Sequence, residues 1–249
     1  MSLDFGFIYT AFLGLFSALP NTLIITVVSV LAGLVIGIIT ALARIYKVPV
    51  LSQISHGYVT FIRGTPMLMH LLLIYFSLPL LIDAGAKHFG WPLQSKDVPY
   101  MVFALISFSI TSGAYMSEVV RSGIQSVNKG QIEAAYAVGM TTWQVLRRIV
   151  FPQAFVVSLP NLTNSVIGML HGSTLAFTVS VTEIQAQAEI LASTNWKYLE
   201  VYIAAALLFW GLTVLIERIS GLVEKKSMCL MEVEHHDPSA KYYEVVRQT

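Results

Sequence analysis

Several stretches of this chain hold no charged side chain over the length a membrane demands. Crossing about 30 Å of hydrocarbon takes about 20 apolar residues in a helix, and lipid leaves no other open-chain structure with all its backbone groups paired. Pro20 to Ala43, Gly64 to Ile82 and Val98 to Ser117 each meet that length without an Asp, Glu, Lys or Arg. Ile149 to Thr182 is uncharged but too long for one simple helix, and Gly168, His171 and Gly172 interrupt it. It reads as a span from Phe151 to about His171, followed by a polar-edged outer segment. Val201 to Ser220 is the last span, with Glu217 and Arg218 near its end. The expected fold is therefore all-α and polytopic, with about five transmembrane helices.

Composition agrees. Charged residues are 12% of the chain against about 25% in soluble domains, and hydrophobic residues are 55%. A net charge of +1 supplies no basic field for nucleic acid. The single cysteine, Cys229, excludes an internal disulfide. The first basic residue is Arg44, so the charged n-region of a cleavable signal peptide is missing. Phe5 to Leu19 is apolar but short, and residues 1–19 read as an interfacial segment. Residues 20–221 form the transmembrane unit, and 222–249 a polar tail. The tail's His235, His236 and Asp237 lack further spaced ligands, so no metal site is expected.

An odd number of spans puts the two termini on opposite sides, and Lys and Arg decide which is which. With the N-terminus outside, Arg44, Lys47, Arg63, Arg121, Lys129, Arg147, Arg148, Arg218, Lys225, Lys226, Lys241 and Arg247 face the cytoplasm. Only Lys87, Lys96 and Lys197 then lie outside. The expected orientation is N-terminus outside and C-terminus cytoplasmic.

That orientation puts the segment Gly130 to Ala154 in the cytoplasm. Gln131 to Val138 holds good helix formers, Glu133, Ala134, Ala135 and Ala137. Their small side chains suit close approach by another protein. Gly139 is placed to end the helix at φ > 0. Thr141 with Gln144 three residues on has the spacing of a capping box. Pro152 falls near the start of the next span, where a missing N–H costs little. The expected loop, near 128–152, is a short helix, a sharp turn and a second helix feeding the membrane.

Gly130, Gln131, Glu133, Ala134, Ala135, Gly139, Pro152, Gln153 and Ala154 together resemble the cytoplasmic EAA signature of type I ABC-importer permeases. The narrower resemblance is to the polar amino acid branch, of the histidine and glutamine type. Phe61-Ile62-Arg63-Gly64-Thr65-Pro66 is similar to that branch's entry to the second span. Ala114 to Arg121 is similar to the end of its third, and Asn161 and Asn164 lie in a matching frame on the fourth. The chain departs from the branch at Ser122-Gly123 and at His171-Gly172-Ser173-Thr174-Leu175.

The resemblance implies a type I ABC-importer transmembrane domain in a bacterial inner membrane, carrying a polar amino acid, cystine among the candidates, inward. It implies that Gly130, Gln131, Glu133, Ala134, Ala135 and Gly139 couple to a separate ATPase dimer, where ATP and Mg would bind. It also implies a second permease copy or a related permease, and an extracellular solute-binding protein. No Gly-x-x-x-x-Gly-Lys-Ser/Thr occurs in the chain, as expected of a subunit that is not itself the enzyme. The competing function is an ion-coupled secondary amino acid carrier. Carriers commonly show duplicated halves, and none is visible here.

Polar groups inside spans are the candidate substrate path. Glu118 and Arg121, three apart, share a helix face and suit the two charges of an amino acid; equally, they can neutralise each other or form a gate. Thr111 and Ser112 either line the path or, with Gly113, let helices approach. His70 is expected to pack against a neighbouring helix. Trp91-Pro92, within the loop Asp83 to Asp97, either meets a solute-binding protein or is an ordinary exposed loop.

Overall fold

The computed structural model describes residues 3–234, with side chains to 227. Among them every regular element is a helix. In order they are α1 (Phe5–Leu15), α2 (Leu19–Ile45), α3 (Leu51–Gly64), α4 (Met67–Phe89), α5 (Tyr100–Gln125), α6 (Lys129–Ala137), α7 (Thr142–Val145), α8 (Phe151–Gly172), α9 (Ile184–Asn195) and α10 (Tyr198–Glu234). Short 3-10 turns cover Ser95–Asp97 and Ser173–Val179.

The scaffold is built on α2 against α5. Gly33, Gly37 and Ala41 recur every fourth residue and make one smooth stripe on α2. A Cβ at Gly33 would run into Ser112 Oγ and stand 2.9 Å from the Gly113 nitrogen. At Gly37 it would stand 2.6 Å from Met116 Cβ and 2.8 Å from the Ser117 nitrogen. Small residues let the two backbones touch, which is how helices associate where no water drives them together. Below this seam Ile25, Leu71, Ala104, Phe108 and Met169 join α2, α4, α5 and α8 in one core cluster. The outward faces of α2 and α4 carry exposed Val27, Leu31, Val35, Leu73, Phe76 and Leu80, as lipid-facing helices do.

Four helices, Leu19–Ile45, Met67–Phe89, Tyr100–Gln125 and Tyr198–Ser227, are long and apolar enough to span by themselves. A fifth is reached when Thr142–Val179 and Ile184–Asn195, bent by 56°, are taken as one broken unit. The five expected spans thus correspond to α2, α4, α5, α8 and α10. α8 carries polar side chains through its middle, Asn161, Thr163, Asn164 and Ser165.

Two helices were not legible as separate elements. The amphipathic α3 buries Ser55, Val59 and Ile62 and leaves Leu51, Ile54 and Phe61 outside. Its Tyr58 hydroxyl donates to the Ile110 carbonyl, 2.5 Å away, midway along α5. α9 occupies the polar-edged outer segment. The fully buried Glu183 caps it, accepting from the Gln185 and Ala186 nitrogens at 2.8 Å each. The unpaired N–H groups and positive end of the helix suit a carboxylate there.

α1 packs one face on α9 and α10, through Ala11, Leu15, Ile184, Ala188, Val201 and Leu208. Asp4 closes the joint. It caps α1 at the Phe7 nitrogen (3.0 Å) and accepts from Lys197 Nζ (2.6 Å). The Lys197 ammonium, with the Phe7 N–H, holds the Asp4 carboxyl below its ordinary pKa. The helix α10 runs through Gly221 to Glu234, so the first part of the expected tail continues the last span. One glycine did not stop it, because Glu224, Lys225 and Lys226 are good helix formers. His235, His236 and Asp237 lie outside the described residues.

Candidate coupling loop and polar cavity

The loop after α5 is a small folded unit with a core of its own. Asn128 caps α6, accepting from the Gly130 nitrogen at 2.8 Å. At the other end the Gly139 N–H donates to Tyr136 O (3.0 Å) and the Met140 N–H to Ala135 O (3.1 Å). This is a Schellman closure, and Gly139 takes the left-handed residue at φ +82°. Thr141 and Gln144 then form the capping box, with Gln144 Oε1 accepting from the Thr141 nitrogen at 2.8 Å. The helix that follows does not pause before the membrane. It passes through one π-helical turn, Leu146–Val150, directly into α8. Pro152 supplies the reason. It has no N–H for the carbonyl four residues back and its ring crowds that carbonyl, so the turn widens.

Val127, Ala135, Val145, Val150 and Ala154 are buried together at the centre of this unit. Ala135 therefore faces the loop's own core. Gly130, Gln131, Glu133, Ala134 and Gly139 are exposed. Beside them Tyr136, Trp143 and Val138 form an apolar surface, Val138 being 79% exposed. Gln153 Nε2 donates to Gln131 Oε1 at 2.8 Å, fastening the start of α8 to α6. That bond gives a physical reason for the distance between these two residues in the sequence.

The four candidates on α5 divide between two places. Thr111 and Ser112 lie on the wall of a cavity of about 440 Å³ between α5 and α8. Tyr115, Asn161, Asn164 and Ser165 complete its polar lining, and Met67 enters from the start of α4. Among the described residues no charged side chain lines it. Ser112 also sits at the α2 seam, so path and packing are not alternatives for that residue.

Glu118 and Arg121 lie elsewhere, in an ion cluster. Arg121 reaches Glu118 Oε2 at 2.7 Å, as the spacing of three anticipates. Arg44, at the end of α2, bonds the other carboxylate oxygen at 2.5 Å. Arg63, at the end of α3, stands 3.9 Å away. One carboxylate therefore gathers three guanidiniums from three helices. Reading the sequence paired Glu118 with Arg121 alone. It missed Arg44, because a partner 74 positions away is decided by how the helices pack.

His171 packs edge-on to Phe209 and contacts Thr213 Oγ1 at 3.2 Å, joining α8 to α10. Trp91 is 55% exposed and stacks on Phe89, ring centroids 5.2 Å apart. Asp83 holds the rest of that loop, accepting from the Ser95 nitrogen (2.7 Å) and hydroxyl (2.6 Å).

Residues 33–228 match the family described as the binding-protein-dependent transport system inner membrane component. The probable amino-acid permease protein YxeN of Bacillus subtilis is 39% identical over 224 residues, spanning 90% of this chain and 96% of that protein. The L-cystine transport system permease protein TcyL of Bacillus subtilis is 36% identical over 208 residues, 84% of each. A crystal structure of an amino acid ABC transporter with histidines superposes with a TM-score of 0.75 at 31% identity. It covers 91% of this chain and all of that one.

Proposed function

The chain belongs to the family of binding-protein-dependent transport system inner membrane components, and from that we propose that it is the permease subunit of an ATP-driven importer carrying a polar amino acid inward. It is a multi-pass membrane protein. The ion-coupled carrier has no support among the relatives.

The observation that carries this reading is the preorganised loop. An exposed helix bearing Gly130, Gln131, Glu133 and Ala134 is locked by the Gly139 turn to a rod continuous with α8. A push on α6 reaches the membrane through the Gln131–Gln153 bond and the buried cluster around Ala135. The same rod carries Asn161 and Asn164 on the cavity wall. Such a device suits a partner that supplies the work, so hydrolysis, with ATP and Mg, belongs to a separate ATPase dimer. Gly139 and Ala135 shape the docking element; Gly130, Gln131, Glu133 and Ala134 meet the partner.

The cavity supports a polar solute small enough for about 440 Å³. Cystine is a candidate because TcyL, a relative, is named as an L-cystine permease. Five spans are few to enclose a gated path, which supports a second permease copy completing it. Trp91 and its loop are placed to meet a solute-binding protein. Glu118 and Arg121 act in this reading as a helix clasp near the cytoplasmic end rather than as solute ligands.

Affinity purification of the tagged chain from its own membranes tests the core of the proposal, read together with uptake competition by the twenty amino acids and cystine. Recovery of an ATPase subunit and competition by a small amino acid set are expected. A chain purified without an ATPase, whose uptake collapses with the proton or sodium gradient, would return the carrier reading.

A further inference from the structure

His70 is buried, 4% exposed, one turn into α4, and it touches two hydroxyls. Nε2 lies 2.6 Å from Thr65 Oγ1 and Nδ1 lies 3.2 Å from Thr111 Oγ1. The direction of these bonds follows from what lies beyond. The Thr65 hydroxyl stands 2.7 Å from the Phe61 carbonyl, which can only accept, so its proton goes there. Thr65 can then only accept from His70, and Nε2 must carry the ring proton. In a neutral imidazole Nδ1 is then a lone pair, and the Thr111 O–H donates to it.

Thr111 is a cavity residue. Elsewhere in the spans Thr26, Thr40 and Thr163 donate to the carbonyl four residues back, at 2.8, 2.8 and 2.9 Å. Thr111 is instead turned to His70. With its proton committed, it offers the cavity only lone pairs. Ser165 on the opposite wall is in the same state, its hydroxyl donating to Asn161 O at 2.8 Å. The N–H donors of the wall are then the side-chain amides of Asn161 and Asn164.

We propose that His70 is the positioning residue of the cavity: it fixes Thr111 as a hydrogen-bond acceptor, so that the acceptors Thr111 and Ser165, on facing walls, receive the ammonium of an amino acid and the side-chain amides of Asn161 and Asn164 its carboxylate. The inference rests on the reading of this cavity as the amino acid's path. It also gives the Gly64–Pro66 break a task. Thr65 sits at that break, between α3 and α4, where its hydroxyl reaches both Phe61 O and His70. The chain Phe61–Thr65–His70–Thr111 thus joins three helices to the cavity wall.

Two measurements on the purified permease–ATPase complex in nanodiscs test this. The first needs no solute. Nitrogen-15 spectra of histidine-labelled complex, with His70 assigned by its loss in His70→Gln, should show a neutral ring protonated at Nε2. The Nδ1 resonance should move in Thr111→Val and the Nε2 resonance in Thr65→Val. A ring protonated at Nδ1 overturns the proposal. The second measures direct binding of radiolabelled L-cystine, L-glutamine, L-histidine and L-arginine without a binding protein. For the solute that binds, His70→Phe and Thr111→Val should each weaken binding about tenfold, and the double variant no further, because both remove one hydrogen bond. His70→Gln keeps a donor and an acceptor and should stay within about threefold of the parent. Unchanged binding in His70→Phe, or losses that multiply to about a hundredfold, overturn the proposal. If the parent binds none of the four, the amino acid reading and the ammonium pairing fail together, while the nitrogen spectrum still decides the polarity of Thr111.

Discussion

At the scale of single residues, Glu118 shows how charge is managed inside a span. A lone carboxylate in lipid is expensive, and here three arginines surround it. Replacing it with Gln leaves two close guanidiniums of a half-buried cluster without their anion, which costs about 1–3 kcal/mol. Glu118→Gln is therefore expected to lower membrane levels and thermal stability before it alters solute selectivity. The charge swap, Glu118→Arg with Arg121→Glu, separates a two-residue pair from the observed cluster. A simple pair would be restored by the swap. In the cluster Arg44 and Arg63 stay in place beside the new cation, so uptake should recover only partly relative to the singles. Full recovery at matched membrane levels would remove Arg44 from the account. Gly139 is the other decisive residue. At φ +82° a β-branched side chain costs about 1–2 kcal/mol. Gly139→Val should leave the protein inserted but uncouple it, measured as lost uptake with the ATPase still bound. Normal uptake would mean that the turn plays no part in coupling.

Helices and their joints carry a different kind of information. End signals are local, and here they read correctly. The Thr141–Gln144 box and the glycine stop after α6 were anticipated from residue type and spacing, because a cap needs only its neighbours in sequence. The π turn before Pro152 shows the same locality, though its width was not foreseen. α3 and α9 escaped notice because neither holds a long apolar run; each buries only one face. The α2–α5 seam is where an element-scale prediction is sharpest. Gly37→Val places two methyl groups where a Cβ already meets the Ser117 backbone nitrogen at 2.8 Å. No rotamer relieves a contact with backbone, so the helices must separate. Loss of folded protein, read by size-exclusion in detergent, is expected for Gly37→Val. Gly57→Val, at a site with no atom within 4 Å of its Cβ, should be far milder. Equal loss in both would point to helix propensity rather than to the seam.

For the whole molecule, the balance of Lys and Arg predicts the sidedness. A reporter fused after Thr249 should read as cytoplasmic, and a tag inserted at Gly90 should be labelled from outside by an impermeant reagent. Labelling of the C-terminus from outside would overturn the five-span arrangement with its N-terminus outside. Span number and the caps of the loop after α5 were legible because hydropathy and capping are properties of short stretches of chain. The amino acid sequence by itself therefore determined that this is a helical membrane protein with a structured loop between its third and fourth spans. It also supplied the candidates on α5. It could not divide them, since the rotation of α5 depends on glycines 33 and 37 of another helix. Tertiary structure decided that Thr111 and Ser112 face a cavity with Asn161 and Asn164, and that Glu118 turns to Arg44. It also decided that His70 is held between Thr65 and Thr111. Each of the contacts to Arg44 and Thr111 joins residues more than 40 positions apart. Such contacts form only when helices have chosen their neighbours, their depth and their rotation, and no local pattern encodes all three.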